Sequence, residues 1–369
     1  MSVAREKKKV FVGLSGGVDS AVSAALLKQE GYEVVGVFIR IALPGYPCSA
    51  GADKIEAMRV AAHLDISFLE LDLSKEYEQE VFNTSIGEFA RGRTPNPDAL
   101  CNREIKFGKF FEFARARGAD FIATGHYAQL HRSGTNVEHS VQLLIGADEE
   151  KDQSYFLWMV PEEVLQYTLF PVGGLQKSQV RALAQKFGLP NAARHDSQGL
   201  CFLGDISIED MLHKELAPVP GDVLTEGGEV VGSHEGALFY TIGQRHGFTI
   251  VTNRGTSDVP HRAGNAVPHF VIAKDTEKNT ITVSTERYPI GTTNTTVELR
   301  EQNWIGAAPP GPCMARFRYR QTLIPVTVDV EKNKVTLFEP HYVPLGQSLV
   351  LYRGDVCLGG GIADSTECY

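Results

Sequence analysis

A glycine-rich segment near the start of the chain has the composition of a phosphate-binding loop. It reads GLSGGVDSAV, Gly13 to Val22, and overlaps the apolar run KVFVGL, Lys9 to Leu14. The run predicts a buried strand and Val22 to Gln29 predicts an amphipathic helix, so the glycines lie on a strand-to-helix turn. Glycines let backbone N–H groups approach an anion, serines add hydroxyl donors, and the following helix turns its positive dipole end toward the loop. We therefore expect phosphate to bind here.

The order of residues in this loop argues against two common nucleotide sites. The loop lacks the Lys-Ser/Thr ending of kinase-like NTPases and the G-x-G-x-x-G spacing of dinucleotide folds. On the glycines alone, an ordinary tight turn with a helix cap stays open as the alternative.

Two cysteines further along the chain stand in polar segments suited to thiol chemistry. GRTPNPDALCNREIKF, Gly92 to Phe107, opens with two prolines that oppose a helix and places Asp98 three residues before Cys101, where helix-like sequence begins. A cysteine near the start of a helix is favoured as the nucleophilic thiolate. Cys201 follows the polar loop of RHDSQGLCFLGD, Arg194 to Asp205. By composition alone, either cysteine also fits a buried structural role.

The composition bounds the class of protein that carries these segments. The 369 residues are 43% hydrophobic and 22% charged, which suits two or three domains. No segment resembles a membrane span or a signal peptide, so we expect a cytoplasmic protein without a membrane partner. The six cysteines form no C-x-x-C pair, and reduced thiols are expected. The net charge of -9 argues against broad nonspecific affinity for nucleic acid but leaves room for a locally basic groove.

The elements that must position these residues fall into three parts. From Lys9 to about Lys151, strand-like runs alternate with helix-like stretches, which predicts a doubly wound α/β domain with a parallel sheet. Glycine- and proline-rich sequence with short β-like runs follows, and from about Val271 alternating runs predict a small closed or sandwiched β-domain. We expect an α/β domain, a small central domain and a C-terminal β-barrel-like domain, at residues 1–205, 206–270 and 271–369.

Several segments together resemble a known enzyme family. SGGVDS, Ser15 to Ser20, resembles the pyrophosphate-binding loop of the ATP pyrophosphatase superfamily, whose members cleave ATP to AMP and pyrophosphate while adenylating a substrate oxygen. The segments that follow it are GRTPNPDALCNREIKF, ATGHYA, KDQSYFL, DSQGLCFLGD, FYTIGQRHG, RYRQ and CLGGG. In this order, over nearly the whole chain, they are similar to the bacterial tRNA-specific 2-thiouridylase family. Adenylating enzymes that make GMP, NAD or argininosuccinate share the loop but need neither cysteine.

The resemblance implies an activity and its partners. The family replaces the C2 oxygen of the wobble uridine, U34, by sulfur in tRNAs for Lys, Glu and Gln, and uses ATP with Mg²⁺ to adenylate that oxygen. A sulfur-relay carrier or a cysteine desulfurase loads a persulfide on the cysteine matching Cys201, and its sulfur attacks C2. Cys101 then releases the product and leaves a Cys101–Cys201 disulfide, while Asp98 serves as general acid or base. The resemblance implies that residues 1–205 form the catalytic ATP pyrophosphatase domain and that the central domain contacts tRNA. We expect no metal site built from protein side chains, and we expect a monomer.

The resemblance also assigns binding residues. Those implied for ATP are Gly13, Leu14, Ser15, Gly16, Gly17, Val18, Asp19, Ser20, Ile39 and Gly125. Those implied for tRNA are Asn96, Pro97 and Asp98 around the flipped base, with His126, Lys151, Asp152, Gln153, Arg318, Tyr319 and Gln347 on the rest of the RNA. Independently, the strand period of two predicts that Arg316, Arg318 and Arg320 share one face, which would suit phosphates. A solvated strand edge is the alternative for that stripe.

One loop departs from the family pattern, and two other functions stay open. Arg40 to Ala61 is shorter than usual and lacks an acidic pair, for which Asp53 and Glu56 are the available substitutes. One alternative keeps the substrate but places an iron–sulfur cluster on Asp98, Cys101 and Cys201. The other is a non-catalytic RNA-binding or sulfur-carrying protein, against which the intact phosphate loop and the two cysteines argue.

Overall fold

The first domain is built on a parallel β-sheet. The computed structural model describes residues 7–46, 50–133, 140–195, 207–252, 255–257, 268–288 and 293–368. The strands of this domain are β1 (Lys9–Gly13), β2 (Glu33–Arg40), β3 (Ser67–Asp72), β4 (Phe121–Ala123), β5 (Ala128–Ser133), β6 (Ser140–Ile145) and β7 (Thr168–Leu169). Five of them form a parallel sheet in the order β3-β2-β1-β4-β7. Because the strand order reverses beside β1, the carboxyl end of β1 opens a crevice of the kind in which α/β folds bind ligands.

Helices cover both faces of this sheet. They are α1 (Val18–Gln29), α2 (Ala50–His63), α3 (Ser74–Tyr77), α4 (Asn83–Ala90), α5 (Pro97–Cys101), α6 (Phe110–Ala116), α7 (Ser154–Leu157), α8 (Glu162–Leu165) and α9 (Lys177–Lys186). Val10 and Val12 of β1 pack in a cluster with α1 and α9, whereas Phe11 packs with α5 and α6. Both faces of the strand are therefore buried, as its uninterrupted apolar sequence predicts for a parallel sheet. The predicted α/β class is confirmed.

The helix that carries Cys101 is continuous from Pro97 to Ala116. Helices α5 and α6 are joined by a π-helical segment, Asn102–Lys109. The prolines do not exclude the helix, because Pro97 occupies its first turn, where the missing N–H is not needed. A second π-helical segment, Glu78–Phe82, joins α3 to α4.

The central domain is a six-stranded sheet that is longer in sequence than predicted. Helix α10 (Ile208–Leu216) leads into β8 (Gly221–Leu224), β9 (Val230–His234), β10 (Phe248–Thr252), β11 (Gly255–Ser257), β12 (Phe270–Asp275) and β13 (Thr280–Ser284), with a 3₁₀ turn at Ala237–Phe239. The order is β11-β10-β9-β8-β13-β12. Strand β13 pairs with β8 and thereby joins β12 to this sheet, which extends to Ser284, past the predicted boundary at residue 270. The local alternation of apolar and polar residues predicts strands, but it does not predict which strands pair with each other.

The C-terminal domain is a closed barrel whose sheet is extended by a hairpin from the first domain. Its strands are β14 (Thr295–Trp304), β15 (Gly311–Arg316), β16 (Ile324–Asp329), β17 (Lys334–Leu337), β18 (Ser348–Arg353) and β19 (Val356–Cys368). Strand β14 pairs with both β17 and β19, which closes the ring. Strand β19 also pairs with β6, so the β5–β6 hairpin extends the barrel sheet. The first and third domains thus share a sheet. Within the described residues, no helix is long and apolar enough to cross a membrane.

Candidate functional site

The glycine-rich loop lies at the carboxyl end of the middle strand, β1. Helix α1 starts at Val18, one turn earlier than predicted, so Asp19 and Ser20 lie in its first turn. The Ser20 hydroxyl donates to the Gly17 carbonyl at 3.0 Å and accepts from the Ser15 N–H at 3.2 Å. Gly17, the N-cap residue, has no side chain with which to cap the helix. The first-turn N–H groups are therefore available to an anion.

Two glycines at this loop are required by close packing. Gly16 has φ +80°, and a Cβ there would lie 2.5 Å from the carbonyl oxygen of Asp53. Gly125 follows β4, and a Cβ there would lie 2.7 Å from the backbone nitrogen of Ser20. At Gly17 a Cβ would meet a single atom, at 3.3 Å. A side chain is therefore excluded at 16 and 125 but nearly accommodated at 17.

Asp19 is held by two side chains that the sequence analysis did not select. Lys177, the first residue of α9, places its Nζ 2.7 Å from Asp19 Oδ1 and 2.9 Å from Oδ2. The Tyr127 hydroxyl donates to Oδ1 at 2.8 Å. The loop itself lacks the lysine of the common nucleotide loop, and the fold supplies one from a helix 158 residues away. Nothing local in the sequence around Lys177 indicates this position.

Two residues that follow α9, Asn191 and Arg194, hold the Gly16 carbonyl of the loop. Asn191 Nδ2 donates to the Gly16 carbonyl at 2.8 Å, and Arg194 donates to the same oxygen at 3.3 Å. Arg194 also forms an ion pair with Asp53. Asp53 thus lies at the loop, whereas Glu56 pairs with the surface residue Arg59. Substitution of the missing acidic pair by these two residues stays a prediction.

Ile39 and Cys101 lie on the same side of the sheet. Ile39 is near the carboxyl end of β2, next to β1, and is 8% exposed. Cys101 is fully buried, and both residues belong to the apolar cluster between the sheet and α5–α6. The residue implied for adenine contact and one implied for sulfur chemistry therefore border one cluster.

The start of α5 forms a capped turn around the residues implied to hold the base. The Asn96 side chain accepts from the Ala99 N–H at 3.2 Å, which caps the helix. Pro97 is buried and Asp98 is half-buried in the first turn. Cys101 stands four residues after Pro97 on the same helix. Cys201 lies outside the described residues, so its pairing with Cys101 stays a prediction.

All three domains hold the segment that leads into this helix, Gly92 to Asn96. The Thr94 N–H donates to the Leu345 carbonyl at 2.7 Å. The Thr94 hydroxyl lies 3.2 Å from that of Thr241 in the central domain. Asn96 Nδ2 donates to the Ser348 hydroxyl of the barrel at 3.2 Å. The implied base-binding residues are thus fixed by contacts that only the assembled chain provides.

Three of the residues implied for tRNA, Pro97, His126 and Asp152, are buried in the protein. His126 is 8% exposed, its Nδ1 lies 2.7 Å from the Thr124 hydroxyl, and its ring packs between Phe107 and Phe170. Burial, with a smaller effect of Lys106, holds the pKa of His126 well below its ordinary value, so the ring is neutral near pH 7. Direct RNA contact through this side chain would require it to become accessible.

Asp152 is the centre of a buried polar network between the first and third domains. Its carboxylate accepts from the Gly146 N–H at 2.9 Å and from the Ser154 N–H at 3.0 Å, and it pairs with Arg316. The Tyr352 hydroxyl accepts from Arg316 Nε at 3.0 Å. This network joins the KDQSYFL segment to the barrel and is satisfied without RNA.

The neighbours of Asp152 connect the phosphate loop with the barrel. Gln153 Oε1 accepts from the Tyr127 N–H at 3.0 Å, and Tyr127 in turn contacts Asp19. On the other side, the Tyr155 hydroxyl donates to Gln347 Oε1 at 3.2 Å. Lys151 is half-buried at the start of the segment. Residues 151–155 therefore lie between the two sites that resemblance assigns to ATP and tRNA.

The predicted arginine face does not exist as a strand. Strand β15 ends at Arg316, whose side chain is 8% exposed and faces Asp152. The chain then turns, and Arg320 has φ +61°. Arg318 is exposed on this turn, and its Nη2 would be 3.7 Å from a Cβ built on Gly243 of the central domain. Side chains alternate between the two faces of a strand only while the backbone stays extended. Because the strand ends at Arg316, the three arginines do not share a face.

Arg318 and Tyr319 remain suited to RNA. Although its side chain is exposed, partial desolvation by the surrounding protein, with a smaller effect of the nearby Arg287, lowers the pKa of Arg318. Within the described residues, neither Arg318 nor Arg287 forms an ion pair with a carboxylate. The Tyr319 ring packs on Phe156 with centroids 4.8 Å apart. Two adjacent cations without an acidic partner attract phosphate.

Across the described part of the chain, no group of three or more His, Cys, Asp or Glu side chains is arranged to hold a metal ion.

The chain matches family models along almost its whole length. Residues 8–205 match the model described as tRNA methyl transferase HUP domain, and residues 209–285 match the tRNA methyl transferase PRC-barrel domain. Residues 294–363 match the aminomethyltransferase beta-barrel domain. The end of the second match, after β13, agrees with the strand pairing described above.

Curated relatives align with the chain from end to end. The tRNA-specific 2-thiouridylase MnmA of Nitrosomonas eutropha is 41% identical over 367 residues, which are 96% of this chain and 98% of that protein. The enzyme of the same name from Bacillus licheniformis is 41% identical over 372 residues, covering 97% of this chain and 95% of the relative. That of Streptococcus thermophilus is 40% identical, with 97% and 95% covered. At this identity and coverage, the chain belongs to the tRNA-specific 2-thiouridylase family.

Proposed function

We propose that this chain catalyses the ATP-dependent 2-thiolation of the wobble uridine of tRNA. The observation that carries the proposal is the phosphate loop with Lys177 on Asp19, in the same domain as the helix of Asn96, Asp98 and Cys101. Membership of the family supports the reaction type. A protein that only bound RNA would have no use for the phosphate loop.

In the first step, the C2 oxygen of the uridine attacks the α-phosphorus of ATP and pyrophosphate leaves. The loop from Gly13 to Ser20 holds the leaving phosphates through its N–H and hydroxyl groups. Lys177 supplies the cation that the loop lacks and lowers the energy of the charge that develops on pyrophosphate. The product is an O2-adenylated uridine whose leaving group is AMP.

Magnesium suits this site as a companion of the nucleotide. Asp19 is the acidic side chain within the loop, and Mg²⁺ is commonly held by one or two carboxylates together with phosphates and water. When bound, the ion neutralises phosphate charge. Asp19 would bind the ion when Lys177, which pairs with both carboxylate oxygens in this structure, moves to the phosphates. The remaining ligands would be phosphate oxygens and water.

In the second step, a Cys201 persulfide attacks C2 through its terminal sulfur and AMP leaves. The thiolate of Cys101 then attacks the Cys201 sulfur of the adduct, so the bond between that sulfur and the transferred sulfur breaks and its electron pair stays with the 2-thiouridine. A Cys101–Cys201 disulfide results, and an external dithiol reductant restores both thiols. A cysteine desulfurase, directly or through a relay carrier, supplies the next persulfide. Asp98 moves the proton at the base.

The protein acts as a monomer on the anticodon arm of tRNAs for Lys, Glu and Gln, in the cytoplasm, where ATP and tRNA occur together. Asn96, Pro97 and Asp98 hold the extruded uridine, and extrusion costs a few kcal/mol that these contacts must offset. Lys151, Arg318, Tyr319 and Gln347 contact the surrounding nucleotides, with His126, Asp152 and Gln153 supporting them.

Purified components test the proposal directly. The protein is incubated with ATP, Mg²⁺, a cysteine desulfurase, labelled cysteine and unmodified tRNA for Glu, with a tRNA that has adenosine at position 34 as control. We expect 2-thiouridine in the nucleoside digest and one pyrophosphate per sulfur. Pyrophosphate release without 2-thiouridine, or the reverse, would contradict the coupled reaction.

The cysteine roles are separated by persulfide loading. We expect the Cys101→Ser protein to accept labelled sulfur and the Cys201→Ser protein to accept none, while neither forms 2-thiouridine, because a hydroxyl neither carries nor attacks sulfane sulfur at neutral pH. Equal labelling of the two variants would reject the assignment of the persulfide to Cys201. Stoichiometric iron in anaerobically purified protein, lost in either variant, would favour the cluster mechanism instead.

A further inference from the structure

A cavity lies where the three domains meet, apart from the phosphate loop. Its volume is about 200 Å³. The first domain contributes Arg91 and Thr94, the central domain Lys274 and Thr276, and the barrel Tyr342 and Leu345. No acidic residue is among the lining residues that the structure describes. Two cations and several hydroxyl groups therefore face one small space, and of the two cations Arg91 also pairs with Glu88 at 3.2 Å.

Lys274 is a largely buried lysine in the wall of this cavity. It lies near the end of β12, and its Nζ donates to the Tyr240 carbonyl at 2.7 Å. Burial lowers the pKa of Lys274 to about 8. Within the described residues, it forms no ion pair with a carboxylate, although an ammonium group has two further N–H donors to satisfy. A largely buried cation without an acidic partner is costly unless a ligand neutralises it.

The chain around the cavity is built to bring Lys274 close to the Gly92–Asn96 segment. Gly92 has φ +73°, and a Cβ there would lie 2.9 Å from Thr276 Cγ2 and 3.7 Å from Lys274 Cε. A side chain at 92 would therefore push the segment away from the central domain. The same segment continues into Asn96 and the helix of Cys101.

We propose that this cavity binds a backbone phosphate of the RNA next to the extruded uridine, with Lys274 as its principal ligand and Arg91 and the Thr276 hydroxyl as further donors. The inference rests on the proposed function. Thr94, in the cavity wall, is two residues from Asn96, so a phosphate here belongs to the same stretch of RNA as the base. Because the walls come from three domains, occupancy ties the domains together around the substrate.

The test compares two lysine variants of the full-length protein. Lys274→Met keeps the length of the side chain and removes its charge, and Lys278→Met does the same at a turn residue that is 79% exposed and paired with Asp275. Binding of unmodified tRNA is measured from 50 to 400 mM salt. We expect Lys274→Met to weaken binding about tenfold at low salt and to reduce the salt slope by about one unit. We expect Lys278→Met to match the wild type, and equal affinity and slope for Lys274→Met would overturn the proposal.

A second variant and a second ligand distinguish the alternatives. Thr276→Val removes one hydroxyl without changing volume, and a twofold to fivefold loss of RNA affinity supports the site independently of Lys274 folding effects. Inorganic phosphate is titrated into each protein without RNA. Phosphate that binds through Lys274 while RNA affinity is unchanged by Lys274→Met would overturn the RNA assignment in favour of a free-anion site.

The pH dependence gives a readout that a purely structural role would not move. Binding requires protonated Lys274, so affinity is constant below about pH 8 and falls above it. The other titratable groups facing the cavity are Arg91 and the phenol of Tyr342. We expect the fall between pH 7 and 9 to be smaller in Lys274→Met than in the wild type. An identical fall would count against the proposal, whereas a wild type that binds tRNA but forms no 2-thiouridine would defeat only the proposed function.

Discussion

The phosphate loop and the Gly92–Cys101 segment are both turns that lead into a helix, but they are held in different ways. The phosphate loop is closed by its own serines and braced by Lys177, Asn191 and Arg194, all from the first domain. The Gly92–Cys101 segment is braced by Thr241 of the central domain and by Leu345 and Ser348 of the barrel. One site is complete within a single domain, whereas the other exists only where three domains meet.

This difference separates the two halves of the proposed reaction. Nucleotide binding is expected to survive changes at the domain junction, because no contact of the phosphate loop described above crosses it. Positioning of the RNA is expected to respond to changes in the first domain and to changes at the domain junction.

The largest effect is expected at Gly16. Gly16→Ala places a Cβ 2.5 Å from the Asp53 carbonyl at φ +80°, whereas Gly17→Ala meets one atom at 3.3 Å. We expect tRNA-dependent pyrophosphate release to fall by about 100-fold or more for Gly16→Ala and by much less for Gly17→Ala. Equal activities of the two variants would mean that the loop rearranges when it binds ATP.

Lys177→Met tests the cation supplied from α9. Removing it leaves Asp19 without its ion pair and the leaving phosphates without a positive charge. We expect pyrophosphate release to fall about 50-fold, with tRNA affinity unchanged. Lys186→Met, on the exposed last turn of the same helix, is the control and should behave as wild type. A selective loss of tRNA affinity would move Lys177 to the RNA site.

Arg318→Ala tests the third domain's share of RNA binding. Without a carboxylate partner in the described structure, this side chain is available to phosphate, and we expect tRNA affinity to fall about tenfold and the salt slope by about one unit. ATP affinity should stay the same. Arg353→Ala, at the end of β18, serves as control. Unchanged salt dependence would return Arg318 to the solvated-surface interpretation.

The smallest effect is expected at a partly exposed ion pair of the domain junction. Asp364 lies 2.9 Å from Arg93 and 3.4 Å from Arg300, with the charged groups 27–42% exposed. Because such pairs contribute little, we expect Asp364→Ala to raise the KM for tRNA about threefold and to leave ATP affinity unchanged. Asp329→Ala, at an exposed turn of the barrel, should change neither. An equal change in both affinities would remove the distinction between the two sites.

Contacts between neighbouring residues are predictable from local sequence patterns, whereas contacts between distant segments are not. The helix start at Asn96 and Pro97 obeys local capping rules, although the prolines suggested a later start. The arginine stripe failed because it assumed that the strand continued past Arg316, where the chain turns. The extent of the central sheet could not be predicted from local alternation, because strand pairing with β8, about 60 residues earlier, decides which sheet β13 joins.

The sequence by itself determined the phosphate loop, the parallel α/β domain and the helix that carries Cys101. Each depends on residues that are neighbours in the chain, such as glycines that permit a positive φ, serines that bond within the turn, and uninterrupted apolar strands. Only the tertiary structure decided that Lys177 neutralises Asp19, 158 residues away, that Arg316 is buried against Asp152, 164 residues away, and that Lys274 faces a cavity between three domains. A charged side chain looks the same in sequence whether it meets water, a carboxylate or a ligand, because its partner is set by packing between segments that local patterns do not relate.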